Sequence, residues 1–286
     1  MTLADLQYKS LIKPDCEENH VPSVPPEFTS RNILDKFSLK NKVSVITGAA
    51  GDIGGAIAEG FAQAGSDIVI LDYKFNPGIS ERLSKTYGIK SKSYQVDVSK
   101  CEEVKATIKQ IEEDFGTIDI FIANAGIAWN RGSILNQDST PEEWARVYEV
   151  DVHGVFYCAK YAGEIFKKNG KGSFIITASI SAHIVNVPNY QTCYNSAKAA
   201  VLHMGKCLAV EFAGFARVNT VSPGYTNTSL SDPVPVHERA KWWGLTPLGR
   251  EALPEELVGA YLYLASDASS FTTGTDIRVD GGYCAI

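Results

Sequence analysis

A chain of 286 residues, 44% of them apolar, is long enough to bury the core of one large α/β domain. Its net charge of -6 and the lack of any basic block argue against a nucleic-acid partner, since affinity for a phosphate backbone needs clustered Lys and Arg. Six cysteines without a paired short spacing suggest neither a disulfide framework nor a metal site, and no leader-like start or apolar run of about 18 residues is seen, so the chain reads as a soluble, cytoplasmic protein with no membrane partner.

Residues 1–38 carry Pro14, Pro22, Pro25, Pro26 and the acidic Glu17–Glu18 pair without helical periodicity, and read as an N-terminal extension. Residues 39–286 form the expected domain. From Lys42 onward short β-branched runs alternate with longer helical stretches, the pattern of βαβ units and a parallel sheet buried on both faces. Strands are expected at 43–47, 67–72, 92–96, 118–124, 172–179, 216–222 and 276–280. Crossover helices are expected at 53–64, 79–87, 101–115, 141–168, 190–212 and 254–265. Thr140–Pro141–Glu142–Glu143 marks one helix start, with an N-cap, Pro at the first helical position and early carboxylates. The expected fold class is α/β: a single doubly wound Rossmann domain with a seven-stranded parallel sheet and helices on both faces.

The first strand runs into TGAAGDIGG at 47–55, a glycine turn that would aim backbone N–H groups and the positive end of a helix at a phosphate. Such turns also arise for tight packing alone, and the second strand weighs against that reading. It ends in Asp72, which lies 72 − 54 = 18 residues after Gly54, close to the roughly 20-residue offset of a ribose-binding carboxylate. A carboxylate there predicts NAD(H) as the preferred cofactor and NADP(H) as the lesser one. A 2′-phosphate would meet a like charge, costing on the order of 4 kcal/mol per unit charge at about 4 Å. Lys74 is the nearby cation that softens the preference. Asp52, inside the turn, is expected to point to solvent, since backbone N–H groups do the binding. From Thr226 to Arg250 the chain is long and holds Pro233, Pro235, Pro247 and the pair Trp242–Trp243, which suggests a lid or binding segment where substrate choice resides.

Six features in order carry a resemblance: TGAAGDIG at 47–54, Asp97, Asn124–Ala125–Gly126, a serine at the end of the fifth strand, Tyr194–Asn195–Ser196–Ala197–Lys198, and Ser222–Pro223–Gly224. The chain resembles the short-chain dehydrogenase/reductase family from about residue 40 to the end. Within it, the stretches at 165–188, 211–225, 240–251 and 261–283 look closest to the sorbose reductase and (S)-specific carbonyl reductase group of yeasts. The resemblance implies a homotetramer and reversible hydride transfer between a nicotinamide and a ketone or secondary alcohol, with ketoses, polyols or small prochiral ketones as substrates. It further implies that Gly48, Asp52, Ile53 and Gly54 meet the pyrophosphate, Asp97 and Val98 the adenine, and Asn124, Ala125 and Gly126 the adjoining ribose. Pro223, Gly224 and Thr226 would meet the carboxamide of the nicotinamide, and Lys198 its ribose.

The catalytic set reads as Ser179, Tyr194, Lys198 and Asp151. Tyr194 and Lys198 stand at i and i+4, one turn apart on one helix face. A free phenol titrates near pKa ~10, and a neighbouring ammonium favours its phenolate, so such a pair exchanges protons with a carbonyl or alcohol oxygen. Ser179 and Ser181 compete for the substrate oxygen, 15 and 13 residues before Tyr194. The commoner family spacing favours Ser181, but the intervening segment reads as two residues longer than usual, and Ser179 better matches the strand end. Asp151 stands where the family usually has Asn in a water-linked proton path to the lysine. His153 and His183 are expected near the site in hydrogen-bonding roles. Two other functions compete: a catalytically silent dinucleotide-binding regulator, against which the Ser-Tyr-Lys set speaks, and a structural oligomer, which would leave the glycine turn and Asp72 unexplained.

Overall fold

Val43–Thr47 (β1) is an apolar and β-branched run with every position buried, the signature of a strand covered on both faces. The computed structural model of the protein, which describes residues 32–229, 231 and 234–286, places six further strands beside it. These are Asp67–Asp72 (β2), Ser91–Gln95 (β3), Ile120–Ala123 (β4), Ser173–Thr177 (β5), Arg217–Pro223 (β6) and Asp276–Val279 (β7). All neighbours pair in parallel, in the order β3-β2-β1-β4-β5-β6-β7. The order reverses between β1 and β4, and ligands of such sheets bind outside the strand ends at that crevice. Residues 1–31 of the expected extension, with its four prolines and Cys16, lie outside the described residues, as does Pro233.

The helices are Asp52–Gln63 (α1), Pro77–Tyr87 (α2), Cys101–Phe115 (α3), Pro141–Tyr148 (α4), Gly154–Asn169 (α5), Thr192–Glu211 (α6), Val236–Gly244 (α7) and Pro254–Ala265 (α8). Alternation along the strands sends successive side chains to opposite faces. Ile46, Ile70 and Ile122 therefore pack with Ile57 and Phe61 of α1 and Leu257 and Tyr261 of α8. Val45, Val69 and Phe121 pack on the other face with Ile108 of α3, Phe166 of α5 and Val201 of α6. No helix among the described residues is long and apolar enough to cross a membrane.

Two differences from the sequence expectation bear on the site. The helix start at Thr140 is present, its hydroxyl accepting from the Glu143 N–H, but the single helix expected over 141–168 is interrupted by a π turn at Glu149–His153. Such turns insert a residue into the helical register, and they concentrate at functional sites. The segment 226–250, expected as loop, contains α7. Its Trp242 is buried and stacks on Tyr225 rather than on its neighbour Trp243.

Candidate active site

Gly48 leaves β1 with φ +65, a conformation that favours glycine, and its N–H is held by the Leu71 carbonyl at 2.8 Å. Gly54 lies in the first turn of α1. A Cβ there would fall 2.8 Å from Ala49 Cα and nearer still to the Gly48 carbonyl oxygen, so only glycine lets the helix close onto the turn. The result is a helix N-terminus, at Gly51, Asp52, Ile53 and Gly54, that opens into a large cavity.

Asp52 is exposed, yet its carboxylate is not free. Its Oδ2 accepts from the Ser229 N–H at 2.8 Å and from the Ser229 hydroxyl at 2.7 Å, and those bonds hold its carboxyl below the ordinary value. The turn is thus tied to the segment after β6. At the end of β2, Asp72 lines the cavity, but both its oxygens are occupied by backbone donors. Oδ2 accepts from Ala50 N–H at 3.0 Å and Oδ1 from Lys74 N–H at 2.9 Å. Tyr73 and Lys74 line the cavity beside it.

After β4, the Asn124 side chain is spent inside the protein, donating to the Thr47 carbonyl at 3.0 Å and accepting from Thr177 Oγ1 at 3.1 Å. Thr47 Oγ1 in turn accepts the Asn124 and Ala125 N–H groups, both at 2.9 Å. This lock fixes the mouth of the β1/β4 crevice, and it was not read from the sequence because Thr47 and Asn124 meet only in the folded sheet. Asp97 is turned back onto Ser99, and Val98 stays buried at the cavity wall.

Tyr194 and Lys198 project from one face of α6, with the ammonium 5.4 Å from the centre of the phenol ring. Lys198 is buried and donates to the Thr177 carbonyl at 3.3 Å. Its second partner is Asp151, at the centre of the π turn, with Nζ 3.2 Å from Oδ2. Asp151 is fully buried, and its Oδ1 accepts the Ile127 N–H at 2.8 Å. Burial pushes the Asp151 carboxyl up, against the pull of Lys198 and the Ile127 N–H. Burial also pulls the Lys198 ammonium down, but Asp151 and Tyr194 outweigh it and leave it raised, so it stays charged at neutral pH. Asp151 thus meets the lysine in a direct ion pair. Gly126 leaves room for it, since a Cβ there would lie 3.0 Å from Asp151 Oδ2 and 3.2 Å from Lys198 Nζ.

Ser179 caps a short 3-10 turn after β5 and Ser181 lies within it, and both line the cavity. The Ser181 hydroxyl donates to Asn186 Oδ1 at 2.8 Å, whereas Ser179 Oγ accepts the Ser181 N–H at 3.1 Å. Ser179 therefore keeps its O–H to give. Across the cavity, Pro223 ends β6, Gly224 N–H is held by Val279 at 2.9 Å, and Thr226 Oγ1 donates to the Gly224 carbonyl at 3.1 Å. His183 bridges Asp276 at 3.0 Å and Ser222 at 3.3 Å, while His153 rests beside Tyr157.

The glycine turn, the ends of β2 and β4, the two serines and the Tyr194–Lys198 pair surround one cavity of about 1240 Å³, and neither His153 nor His183 lines it. Gly48, Asp52, Ile53, Gly54, Asp72, Asp97, Val98, Asn124, Ala125 and Gly126 line one part of it, and Ser179, Tyr194, Lys198, Pro223, Gly224 and Thr226 the rest. Asp151 alone of the expected catalytic and cofactor-binding residues stands behind the wall, reaching the site through Lys198. The helix N-terminus at a glycine turn no Cβ could enter, continuous with a tyrosine-lysine pair, suits an anionic dinucleotide with its nicotinamide toward Tyr194.

A parallel sheet that switches at β1/β4 and carries this glycine turn and tyrosine-lysine helix defines a nicotinamide-dependent oxidoreductase. The chain belongs to the short-chain dehydrogenase/reductase family: the profile described as Enoyl-(Acyl carrier protein) reductase matches residues 48–284. It is 57% identical over 266 residues to a probable NADP-dependent mannitol dehydrogenase of Yarrowia lipolytica, covering 92% of this chain and 95% of that one. It is 52% identical to a sorbose reductase of Candida albicans, covering 92% and 94%. The crystal structure of an NADPH-dependent 3-quinuclidinone reductase from Rhodotorula rubra superposes with a TM-score of 0.85 at 45% identity, covering 94% of this chain and 98% of that one.

The expected preference for NAD(H) is overturned by two of these relatives, the mannitol dehydrogenase and the quinuclidinone reductase, which are named for NADP and NADPH. The repulsion argument treated Asp72 as a free carboxylate. In the fold both of its oxygens accept from backbone N–H groups, which the 18-residue offset could not reveal, and Lys74 lines the cavity beside it.

Proposed function

We propose that the protein is an NADP(H)-dependent oxidoreductase interconverting ketoses and polyols, or the corresponding small ketones and secondary alcohols. The observation that carries this reading is the single cavity in which the glycine turn and the Tyr194–Lys198 face of α6 meet. A nicotinamide bound there supplies the hydride for reduction and accepts it for oxidation. Tyr194 gives its hydroxyl proton to the carbonyl oxygen as that hydride reaches carbon, and takes it back in the reverse direction. Ser179 donates its O–H to the same oxygen, holding it toward Tyr194 and stabilising the charge that develops there. Lys198 keeps a positive charge beside the phenol, and Asp151 is a positioning residue that holds the ammonium in place. Lys74, with Tyr73, provides the cation for a 2′-phosphate.

The same reading places the catalytic domain at 39–286, with 1–38 as an extension, in a cytoplasmic homotetramer. Sedimentation velocity reports the assembly. The decisive experiment measures initial rates by NADPH and NADH absorbance across ketoses, polyols and simple ketones. A higher kcat/KM with NADPH, and turnover of at least one ketose–polyol pair, supports the proposal. Turnover of none of these substrates with either cofactor sinks it and leaves the silent dinucleotide-binding alternative.

A further inference from the structure

The segment that follows Ser179 carries two asparagines that grip a pair of stacked rings. Tyr225, just past β6, and Trp242, on α7, lie 4.4 Å apart between ring centres and are tilted by only 5°. Asn186 Nδ2 donates to the Tyr225 hydroxyl at 3.1 Å, and Trp242 Nε1 donates to Asn189 Oδ1 at 3.2 Å. The two amides differ in what remains. Asn186 is 3% exposed and uses both ends, since its oxygen also accepts from Ser181. Asn189 is half-buried, lines the cavity, and has only its oxygen engaged.

An indole N–H donates and never accepts, so Asn189 must turn its oxygen to Trp242. The amide is thereby oriented, and its NH2 donates to no group among the described residues. It belongs to the substrate end of the cavity. Asn186 ties the same segment to Ser181, two residues beyond Ser179, and Tyr194 follows five residues after Asn189. Burial pushes the Tyr225 hydroxyl up to about 12, so the ring stack stays neutral. An aromatic wall beside a fixed pair of N–H donors suits a carbon chain that carries hydroxyl oxygens and suits a bare hydrocarbon chain less.

We infer that Asn189 is a specificity-determining residue, its side-chain NH2 donating to a hydroxyl oxygen of the substrate at a carbon other than the one that reacts. The inference rests on the ketose and polyol reading above and names the group that would enforce it. A site built to hydrogen-bond a hydroxyl discriminates against a substrate that lacks it, because the buried donor is then left unpaired.

The test compares NADPH-dependent reduction of a ketohexose and of an unfunctionalised six-carbon ketone by the wild type, Asn189→Leu and Trp242→Phe. Trp242→Phe keeps a ring on Tyr225 but removes the N–H that orients Asn189. Expected is a rise in KM for the ketohexose of about tenfold in Asn189→Leu, the scale of one hydrogen bond, with KM for the simple ketone and for NADPH within about twofold. Trp242→Phe moves the ketohexose KM in the same direction, and decides the matter should Asn189→Leu fail to fold. Equal changes for the two ketones, no change for the ketohexose, or a change confined to NADPH each overturn the inference while leaving the function intact. A wild type that does not favour the ketohexose over the simple ketone overturns the substrate class, and the inference with it.

Discussion

Replacing Gly54 with Ala isolates the close approach on which the dinucleotide turn depends. The added Cβ would sit 2.8 Å from Ala49 Cα and closer still to the Gly48 carbonyl oxygen, both backbone, and 2.9 Å from the Asn124 side-chain nitrogen. Carbon atoms prefer about 3.5–4.0 Å, so relieving the Ala49 contact alone requires the start of α1 to withdraw by at least roughly 0.7 Å. Overpacking of this kind costs about 1–3 kcal/mol, against a gain of at most about 1 kcal/mol from alanine's helix propensity. Gly55 is the internal control. A Cβ there meets only the Ala49 carbonyl oxygen at 3.6 Å, an ordinary contact, and Gly55 is absent from the cavity wall. Thermal melting and NADPH titration by fluorescence are the assays. Gly54→Ala should melt about 2–4 °C lower for each kcal/mol lost and bind NADPH at least about tenfold more weakly, since the displaced N–H groups no longer converge on the phosphates. Gly55→Ala should bind as the wild type does and melt no lower. Wild-type affinity and melting in Gly54→Ala would refute the claim that this turn cannot yield.

Three further outcomes follow from the site. Tyr194→Phe removes only the hydroxyl and should fold normally while losing about 10²–10⁴ in kcat, measured by NADPH oxidation. Ser179→Ala should cost orders of magnitude in kcat, whereas Ser181→Ala, whose hydroxyl is spent on Asn186, should cost far less; the reverse order would assign the substrate oxygen to Ser181. Asp151→Asn removes the charge that holds Lys198 ionised. In the wild type the raised Lys198 value adds stability that is present below the unfolded value of about 10.4 and is lost as pH rises through the folded one. In the variant the buried, unpaired ammonium should titrate below its unfolded value, so stability should instead rise with pH between the two. Melting curves from pH ~7 to ~10 distinguish these slopes, and identical curves for the two proteins would remove Asp151 from its positioning role.

Much of the architecture was legible because its causes are local. Runs such as 43–47 and 67–72 are apolar on both faces and stop at Gly48 and Asp72, so their ends, and the turn they feed, follow from the residues themselves. The helix expected at 190–212 followed from its apolar spacing, and it sets Tyr194 and Lys198 one turn apart. What escaped depends on partners far away in sequence. The engagement of Asp72 by Ala50 and of Asp52 by Ser229 spans 22 and 177 residues, and no spacing rule reports where a carboxylate's oxygens turn. The π turn at 149–153 carries no Pro or Gly that would mark a break in the sequence, so the helix was expected to run through it. The prolines and the tryptophan pair read as loop, and α7 became visible only when Trp242 found Tyr225 to stack on.

All seven strands point their C-terminal ends to the same rim, and the work is divided along it. The cradle for the dinucleotide comes from the ends of β1, β2 and β4, while Asn186, Asn189, Tyr225 and Trp242 come from the chain beyond β5 and β6. None of those four side chains belongs to either of the two large apolar clusters that clamp the sheet. Remodelling at 184–191 and 226–246 can therefore retune which alcohol or ketone is accepted at little expense in folding stability, so the scaffold behaves as a fixed hydride-transfer engine with an exchangeable nose.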